Sequence, residues 1–268
     1  MRFHGKNIIV TGGANGIGRA TALEFAREGG NLLIADIDEP GARATAEAVR
    51  ALGVTALVRK LDVSDEAAVT ALFADLGSTF APLDVLVNCA GIPDAGTAII
   101  DSDLETLRRV LAVNVEGLFL CMRGAIRVMK TQGHGAIVNV ASQMAHEAMA
   151  NLSAYTASKH AAWGLTKGAA LEAVQDNIQI NAISPGLVAT PLVERFFNDR
   201  PDELRALLAS IPTGRMLQPE EVARNILFLA SPDAAQFIGQ SLRLDAGGAD
   251  VKPSTLWTYP DRSAAAAA

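Results

Sequence analysis

Short runs of branched apolar residues recur along the chain between longer, alanine-rich segments in which apolar positions return every three or four residues. The runs read as strands buried on both faces, and the longer segments as amphipathic helices packed against them. The pattern predicts strands at 7–10, 31–36, 54–61, 84–88, 135–140, 178–183 and 241–244. It predicts helices at 17–28, 39–52, 66–79, 103–130, 155–175, 202–210 and 219–230. Strands that alternate with helices imply right-handed crossovers and a mostly parallel sheet covered on both faces, the doubly wound α/β architecture. No linker-like stretch divides the chain and no repeat appears beyond the alternation, so one domain is expected over 1–250. Residues 251–268 read as a C-terminal tail, whose low-complexity end "RSAAAAA" at 262–268 is set aside as foreign to the fold.

Composition narrows the class. Of 268 residues, 50% are hydrophobic and 19% charged, enough to bury a large core without disulfides or metals. The net charge of -6, with no basic run interleaved with aromatics, argues against a nucleic-acid partner. Cys89 and Cys121 lie in apolar stretches, as buried free thiols do in reducing compartments, which points to the cytoplasm. The first strand comes too early for a signal peptide and no run of about 18 apolar residues occurs, so no membrane association is expected. His4, His134, His146 and His160 have no metal-ligand spacing, and no catalytic metal is expected.

The first predicted strand runs into "TGGANGIG" at 11–18 and then a helix. Gly12, Gly16 and Gly18 permit a tight turn, close approach of phosphates to the backbone, and close packing of helix on sheet. The helix N-terminus would face a pyrophosphate. The second strand ends in Asp36, 18 residues after Gly18, near the spacing of about 20 expected for a carboxylate that binds an adenosine ribose. Its oxygens can accept from the 2′- and 3′-hydroxyls, while its charge repels a 2′-phosphate. NAD(H) is favoured over NADP(H), because Ile37 stands where an arginine would pair with that phosphate and the turn offers only Asn15 at its edge.

"TGGANGIG" with Asp36, "LDVSD" at 61–65, "NCAG" at 88–91, Asn114, Ser142, "YTASK" at 155–159 and "SPGLVAT" at 184–190 together resemble the short-chain dehydrogenase/reductase family, in order and spacing, over about residues 5–249. Cys89 departs from the second asparagine usual in "NNAG". The resemblance implies a single-domain Rossmann-type sheet of strand order 3-2-1-4-5-6-7, assembled as homodimers or homotetramers. It further implies cofactor contacts at Ile17, Asp62, Val63, Asn88, Ala90, Gly91 and Val113, with Pro185, Gly186, Val188 and Thr190 holding the nicotinamide amide and a phosphate.

Tyr155 and Lys159 stand one turn apart on a predicted helix, so both side chains rise from the same face. A free phenol has a pKa near 10, and work as a base near neutral pH requires roughly 4 kcal/mol of help. A lysine cation one turn away favours phenolate, as does the positive nicotinamide of the oxidised cofactor. In the family the ammonium also binds the nicotinamide ribose. Ser142 is placed to hydrogen-bond the substrate oxygen. A nucleophilic role would need a histidine base and a nucleophile elbow, which "VASQM" does not supply. Asn114 puts an amide inside a helical segment; in the family it distorts the helix and holds a water that relays protons from Lys159.

Specificity should come from the loops 92–98 and 143–154 and from a lid at about 190–215. Met149, Leu192 and Phe196 join Ser142 and Tyr155 as candidate substrate contacts. Leu192, Val193, Phe196 and Phe197 either face an apolar substrate or close the insertion's own core, and His146, Glu147 and Asn151 are further polar candidates. Trp163 reads as helix packing in preference to a substrate platform. Trp257 and Tyr259 either cover a neighbouring subunit's site or dock on their own surface. The leading expectation is an NAD-dependent oxidoreductase interconverting a secondary alcohol and a ketone. A 3-oxoacyl thioester reductase and a non-catalytic NAD-binding regulator are the alternatives.

Overall fold

The computed structural model describes residues 1–248, so Trp257 and Tyr259 lie outside the described residues. Seven strands form one sheet in which every pairing is parallel: β1 (Asn7–Thr11), β2 (Asn31–Asp36), β3 (Ala56–Lys60), β4 (Val85–Asn88), β5 (Gly135–Val140), β6 (Ile178–Pro185) and β7 (Ser241–Leu244). Their order, β3-β2-β1-β4-β5-β6-β7, is the one the resemblance implies. The chain winds outward from β1 to β3 and then crosses back to place β4 on the other side of β1. That reversal opens a crevice at the carboxyl ends of β1 and β4, where open α/β sheets bind ligands.

The two sheet faces follow from period-two alternation. Ile8 and Val10 of β1, Leu32 and Ile34 of β2, and Val85 and Val87 of β4 pack on one side with Phe25, Val49 and Ile226. These three come from α1 (Gly16–Arg27), α2 (Glu39–Arg50) and α10 (Pro219–Leu229). The intervening Ile9, Leu33, Leu86 and Ile137 pack on the other side with Leu72, Cys121, Met129 and Ala162. These come from α3 (Glu66–Ala74), α6 (Leu118–Gln132) and α7 (Ser153–Ala173).

Four departures from the sequence expectation bear on the site. The helix expected at 66–79 breaks at Asp75 into α3 and α4 (Leu76–Thr79), where Asp75 and Gly77 are weak helix formers. The helix expected at 103–130 consists of α5 (Leu104–Leu111), a π turn over Ala112–Gly117, and α6. The helix expected from 155 starts at Ser153, which puts Tyr155 in its first turn. The segment 190–215, expected as a lid, holds two helices: α9 (Pro201–Ser210), near the expected 202–210, and α8 (Pro191–Phe197), which the sequence pattern does not predict and whose start Thr190 caps by accepting from the Val193 amide at 3.4 Å. Cys89 and Cys121 are free thiols. Among the described residues no helix is long and apolar enough to cross a membrane.

Candidate active site

The crevice holds a cavity of about 310 Å³. Gly12, Asn15, Gly16, Ile17 and Gly18 line it from the turn after β1, and Asp36 and Ile37 from the end of β2. Asp62 and Val63 contribute from beyond β3, Ala90 and Gly91 from beyond β4, Val113 from the π turn, and Thr190 from the start of the lid. Gly12 takes φ +66, and a Cβ there would come within 2.7 Å of the Ala90 amide nitrogen, so the β1 and β4 turns can close only over a glycine.

The Asp36 carboxylate is tied into this turn. One oxygen accepts from the Ala14 amide and the other from the Asp38 amide, each at 2.9 Å, and every carboxylate oxygen has a further lone pair for a ligand hydroxyl. Ile37 is 63% exposed at the mouth of the groove. A glycine-lined crevice with a fixed carboxylate at one end fits an elongated dinucleotide with a ribose at that carboxylate. Arg195 of α8 also lines the groove; it lies on the same helical face as Leu192, three residues before it, and its charge suits a pyrophosphate.

Some of the residues that the resemblance assigns to the cofactor do not line the groove itself. Asn88 is buried within β4, where its amide donates to Asn139 at 2.9 Å, and it does not line the groove. Asn139 in turn donates to Thr166 at 2.9 Å, so Asn88 belongs to a buried polar network between sheet and helix. Val188 packs in the core and bridges to Leu217, Pro185 ends β6, and Gly186 lines a second pocket in place of the groove.

That second pocket, about 120 Å³, meets the groove at Leu192, which lines both. Its polar groups are Ser142, Gln143 and Tyr155. Its apolar walls include Met149 and Leu152 from the loop before α7, and Leu192, Val193, Phe196, Phe197 and Leu207 from the lid. The lid residues therefore face the pocket. Gln143 lines the pocket although its one signal in the sequence is its position beside Ser142. His146 stands away from the pocket, its ring 4.3 Å from that of Trp163 between centroids and its Nε2 3.0 Å from Ser241 Oγ. Trp163 packs there as the helix-packing reading expects, and neither Glu147 nor Asn151 lines the pocket.

Of the four candidate reacting residues, Ser142 and Tyr155 line the second pocket, and Lys159 and Asn114 are buried near them. Ser142 Oγ accepts from the Met144 amide at 3.1 Å and lines the same pocket as the Tyr155 phenol. Burial pushes the Tyr155 phenol up, and the opposing influence comes from the Ser142 hydroxyl. The Lys159 Nζ lies 5.5 Å from the ring centroid and donates to Val140 O at 3.0 Å, and burial brings its own pKa down to about 8. The Cys89 thiol, pushed up to about 12 by burial, is neutral beside it.

Asn114, 2% exposed, sits in the π turn. Its Oδ1 accepts from the Ile92 amide at 2.8 Å, and its Nδ2 donates to Ile92 O and to Ser158 Oγ, each at 3.0 Å. A Cβ on Gly91 would lie 3.3 Å from Asn114 Oδ1 and 3.6 Å from Lys159 Nζ, so the amide and the ammonium border the same small space. The arrangement can hold a substrate oxygen between a hydroxyl and a phenol, and can pass a proton inward from the phenol.

Comparison with known proteins agrees with this geometry. A family model described as "Enoyl-(Acyl carrier protein) reductase" matches residues 12–249. The cis-4-hydroxycyclohexanecarboxylate dehydrogenase of Sinomonas cyclohexanicum is 41% identical over 240 residues, 89% of this chain and 94% of that protein. Among solved structures, levodione reductase superposes with a TM-score of 0.90 at 32% identity, covering 93% of this chain and 100% of that one. An actinorhodin polyketide ketoreductase variant solved with NADPH superposes with a TM-score of 0.87 at 32% identity, covering 92% and 98%. The chain belongs to the short-chain dehydrogenase/reductase family, and is an oxidoreductase of the kind that works with a nicotinamide cofactor.

Proposed function

We propose that this protein is an NAD-dependent dehydrogenase that interconverts a secondary alcohol on a carbon ring and the corresponding ketone. The observation that carries the reading is the Ser142–Tyr155 pair, set in an apolar pocket that opens on the glycine-lined groove at Leu192. The Sinomonas relative, named for a hydroxycyclohexane substrate, supports the ring. Asp36 supports NAD(H), since its carboxylate would accept from two ribose hydroxyls and repel a 2′-phosphate. Ile37, Asp62, Val63 and Val113 would flank the adenine side. Lys159 would bind the nicotinamide ribose, with Thr190, Pro185, Gly186 and Val188 near the nicotinamide end.

The bound nicotinamide supplies the acceptor or donor of hydride. Ser142 holds the carbinol oxygen, and Tyr155 Oη removes its proton as the carbon–oxygen double bond forms. Lys159 and a water held at Asn114 carry that proton onward. In the reducing direction Tyr155 returns it. Met149 and the lid residues Leu192 and Phe196 exclude solvent around the ring.

A reductase of carrier-bound 3-oxoacyl thioesters is the second reading, favoured by the likeness to a polyketide ketoreductase with NADPH. Asp36 and the net charge of -6 weigh against it. The intact set Asn114, Ser142, Tyr155 and Lys159 weighs against a non-catalytic regulator. A homodimer or homotetramer is also proposed, supported by exposed apolar residues on the helices flanking the site, Leu104 at 56%, Phe119 at 44% and Leu171 at 77%. Light scattering would give the assembly. The free thiols accord with a cytoplasmic location.

The test is a panel of ring and open-chain secondary alcohols and ketones, with both nicotinamide cofactors, followed by NADH or NADPH absorbance. The reading expects NAD-dependent turnover of a cyclohexanol-type alcohol. No turnover across the panel, or a preference for NADP, would overturn it.

A further inference from the structure

We propose that Asp94 is a positioning residue of the reaction: its buried carboxylate caps α7 from a loop sixty residues away and so sets where Tyr155 stands. The inference rests on Tyr155 acting as the acid/base group. An α-helix begins with amide groups that have no partner within the helix, and a polar side chain at the N-cap position normally meets those of the second and third residues. In α7 the N-cap position is Leu152, a hydrocarbon side chain that makes no such bond. The second and third residues are Ala154 and Tyr155. One Asp94 oxygen accepts from both, at 2.9 Å from the Ala154 amide and 3.3 Å from the Tyr155 amide, while the other accepts from Ala95 at 2.6 Å.

Asp94 is only 5% exposed, so these bonds are not traded freely for water. A negative group also suits the positive end of a helix. The cap acts on the first turn of α7, and that turn carries the phenol. The first turn of a helix is where fraying begins, so the angle at which Tyr155 meets the substrate depends on what holds these amides.

The loop that supplies the cap is itself held. Asn114 grips both the amide and the carbonyl of Ile92, two residues before Asp94, and Pro93 between them lines the substrate pocket. A short strap from Gly91 to Ala95 thus ties the π turn to the start of α7. The proton-relay amide and the phenol, on different helices, are thereby referred to one piece of backbone.

Three substitutions test this in the full-length protein. Asp94→Asn keeps an acceptor in place without the charge, Asp94→Glu keeps the charge but moves the oxygens by one methylene, and Asp94→Ala removes both. If position is what matters, Asp94→Asn holds kcat within about threefold, while Asp94→Glu and Asp94→Ala lose about tenfold to a hundredfold, the scale of small misplacements at a reacting group. The dissociation constant for NADH, read by fluorescence, should stay within about twofold in all three. The loss should persist on the high-pH plateau of alcohol oxidation, where the phenol is ionised, because an error of place is not repaired by titration. Wild-type kcat in Asp94→Ala and Asp94→Glu would overturn the proposal. So would parallel loss of kcat, NADH binding and thermal stability in Asp94→Asn and Asp94→Glu alike, the mark of a merely structural residue. Should Asp94→Ala fail to fold, the Asn and Glu pair decides alone. If wild type turns over no alcohol, it is the proposed function that fails, and not this inference by itself.

Discussion

The two cavities that meet at Leu192 are built from opposite materials. The groove is framed by backbone: β1 pairs with β2 and β4 up to Thr11, and the turns that follow touch at Gly12 and Ala90. The pocket is framed by side chains, many from α8 and α9, two short helices in which no residue is fully buried. A ligand in the groove is read by amides and one tied carboxylate, which few sequences can supply. A ligand in the pocket is read by apolar volume, which many can. The groove is accordingly fixed in chemistry, and the pocket is free to vary around the same phenol.

Substitutions can press on each side of that contrast. The largest effect is expected where the cavities join. Tyr155→Phe should lower kcat by about a thousandfold, within the range for losing a general acid/base, and leave NADH binding intact. Because burial raises the phenol, wild-type alcohol oxidation should climb with pH as phenolate forms, and ketone reduction should fall. A Tyr155→Phe enzyme with wild-type kcat would detach the chemistry from the junction altogether.

On the groove side, Asp36→Ser combined with Ile37→Arg should move the NAD-to-NADP ratio of kcat/KM by about a hundredfold, through loss of repulsion and gain of a phosphate partner. An unchanged ratio would show that the carboxylate does not read the ribose.

Lys159 lines neither cavity, and its burial has a sign that can be checked. Its pKa falls from an ordinary 10.5 to about 8 on folding, so the unfolded chain holds more protons between those values. The penalty is full below about 8 and fades as pH rises to 10.5. Lys159→Met should therefore be inactive yet more stable to urea at neutral pH, by up to about 3 kcal/mol before the lost bond to Val140 is counted. The advantage should vanish at pH 10.5. Stability that does not depend on pH would refute the sign.

The smallest effect belongs to the lid. Phe196→Ala should raise KM for a ring alcohol about tenfold, the worth of part of an apolar side chain, with NADH binding unmoved. Equal loss for cofactor and substrate would mean that the lid is not specific to the pocket.

What the sequence made legible follows the same division. The continuous apolar run Ile8, Ile9 and Val10 marked β1 as a strand covered on both faces, and the structure divides these residues between two cores. The glycines and Asp36 were readable as groove-lining residues because a close backbone approach admits only glycine and the carboxylate follows at the end of the next strand. The buried network at Asn88 was not legible, because its partners Asn139 on the neighbouring strand and Thr166 on α7 lie far away in sequence. Helix α8 was hidden because Pro191–Phe197 is too short to display a period, and only its start is marked, by the Thr190 cap and Pro191. Asp94 had no local signature at all. Its partners, Ala154 and Tyr155, are neighbours only after β4 and the start of α7 have come together.

The π turn at Ala112–Gly117 makes the site depend on a number as well as on residue types. An α-helix advances about 100° per residue, so deleting a single residue after Asn114 would let this stretch close into a regular helix and swing the amide about a quarter-turn away from Ile92. Every side chain named in the site would survive such a deletion. Chain length at one point is thus itself a functional trait, invisible to any scheme that scores residues one position at a time.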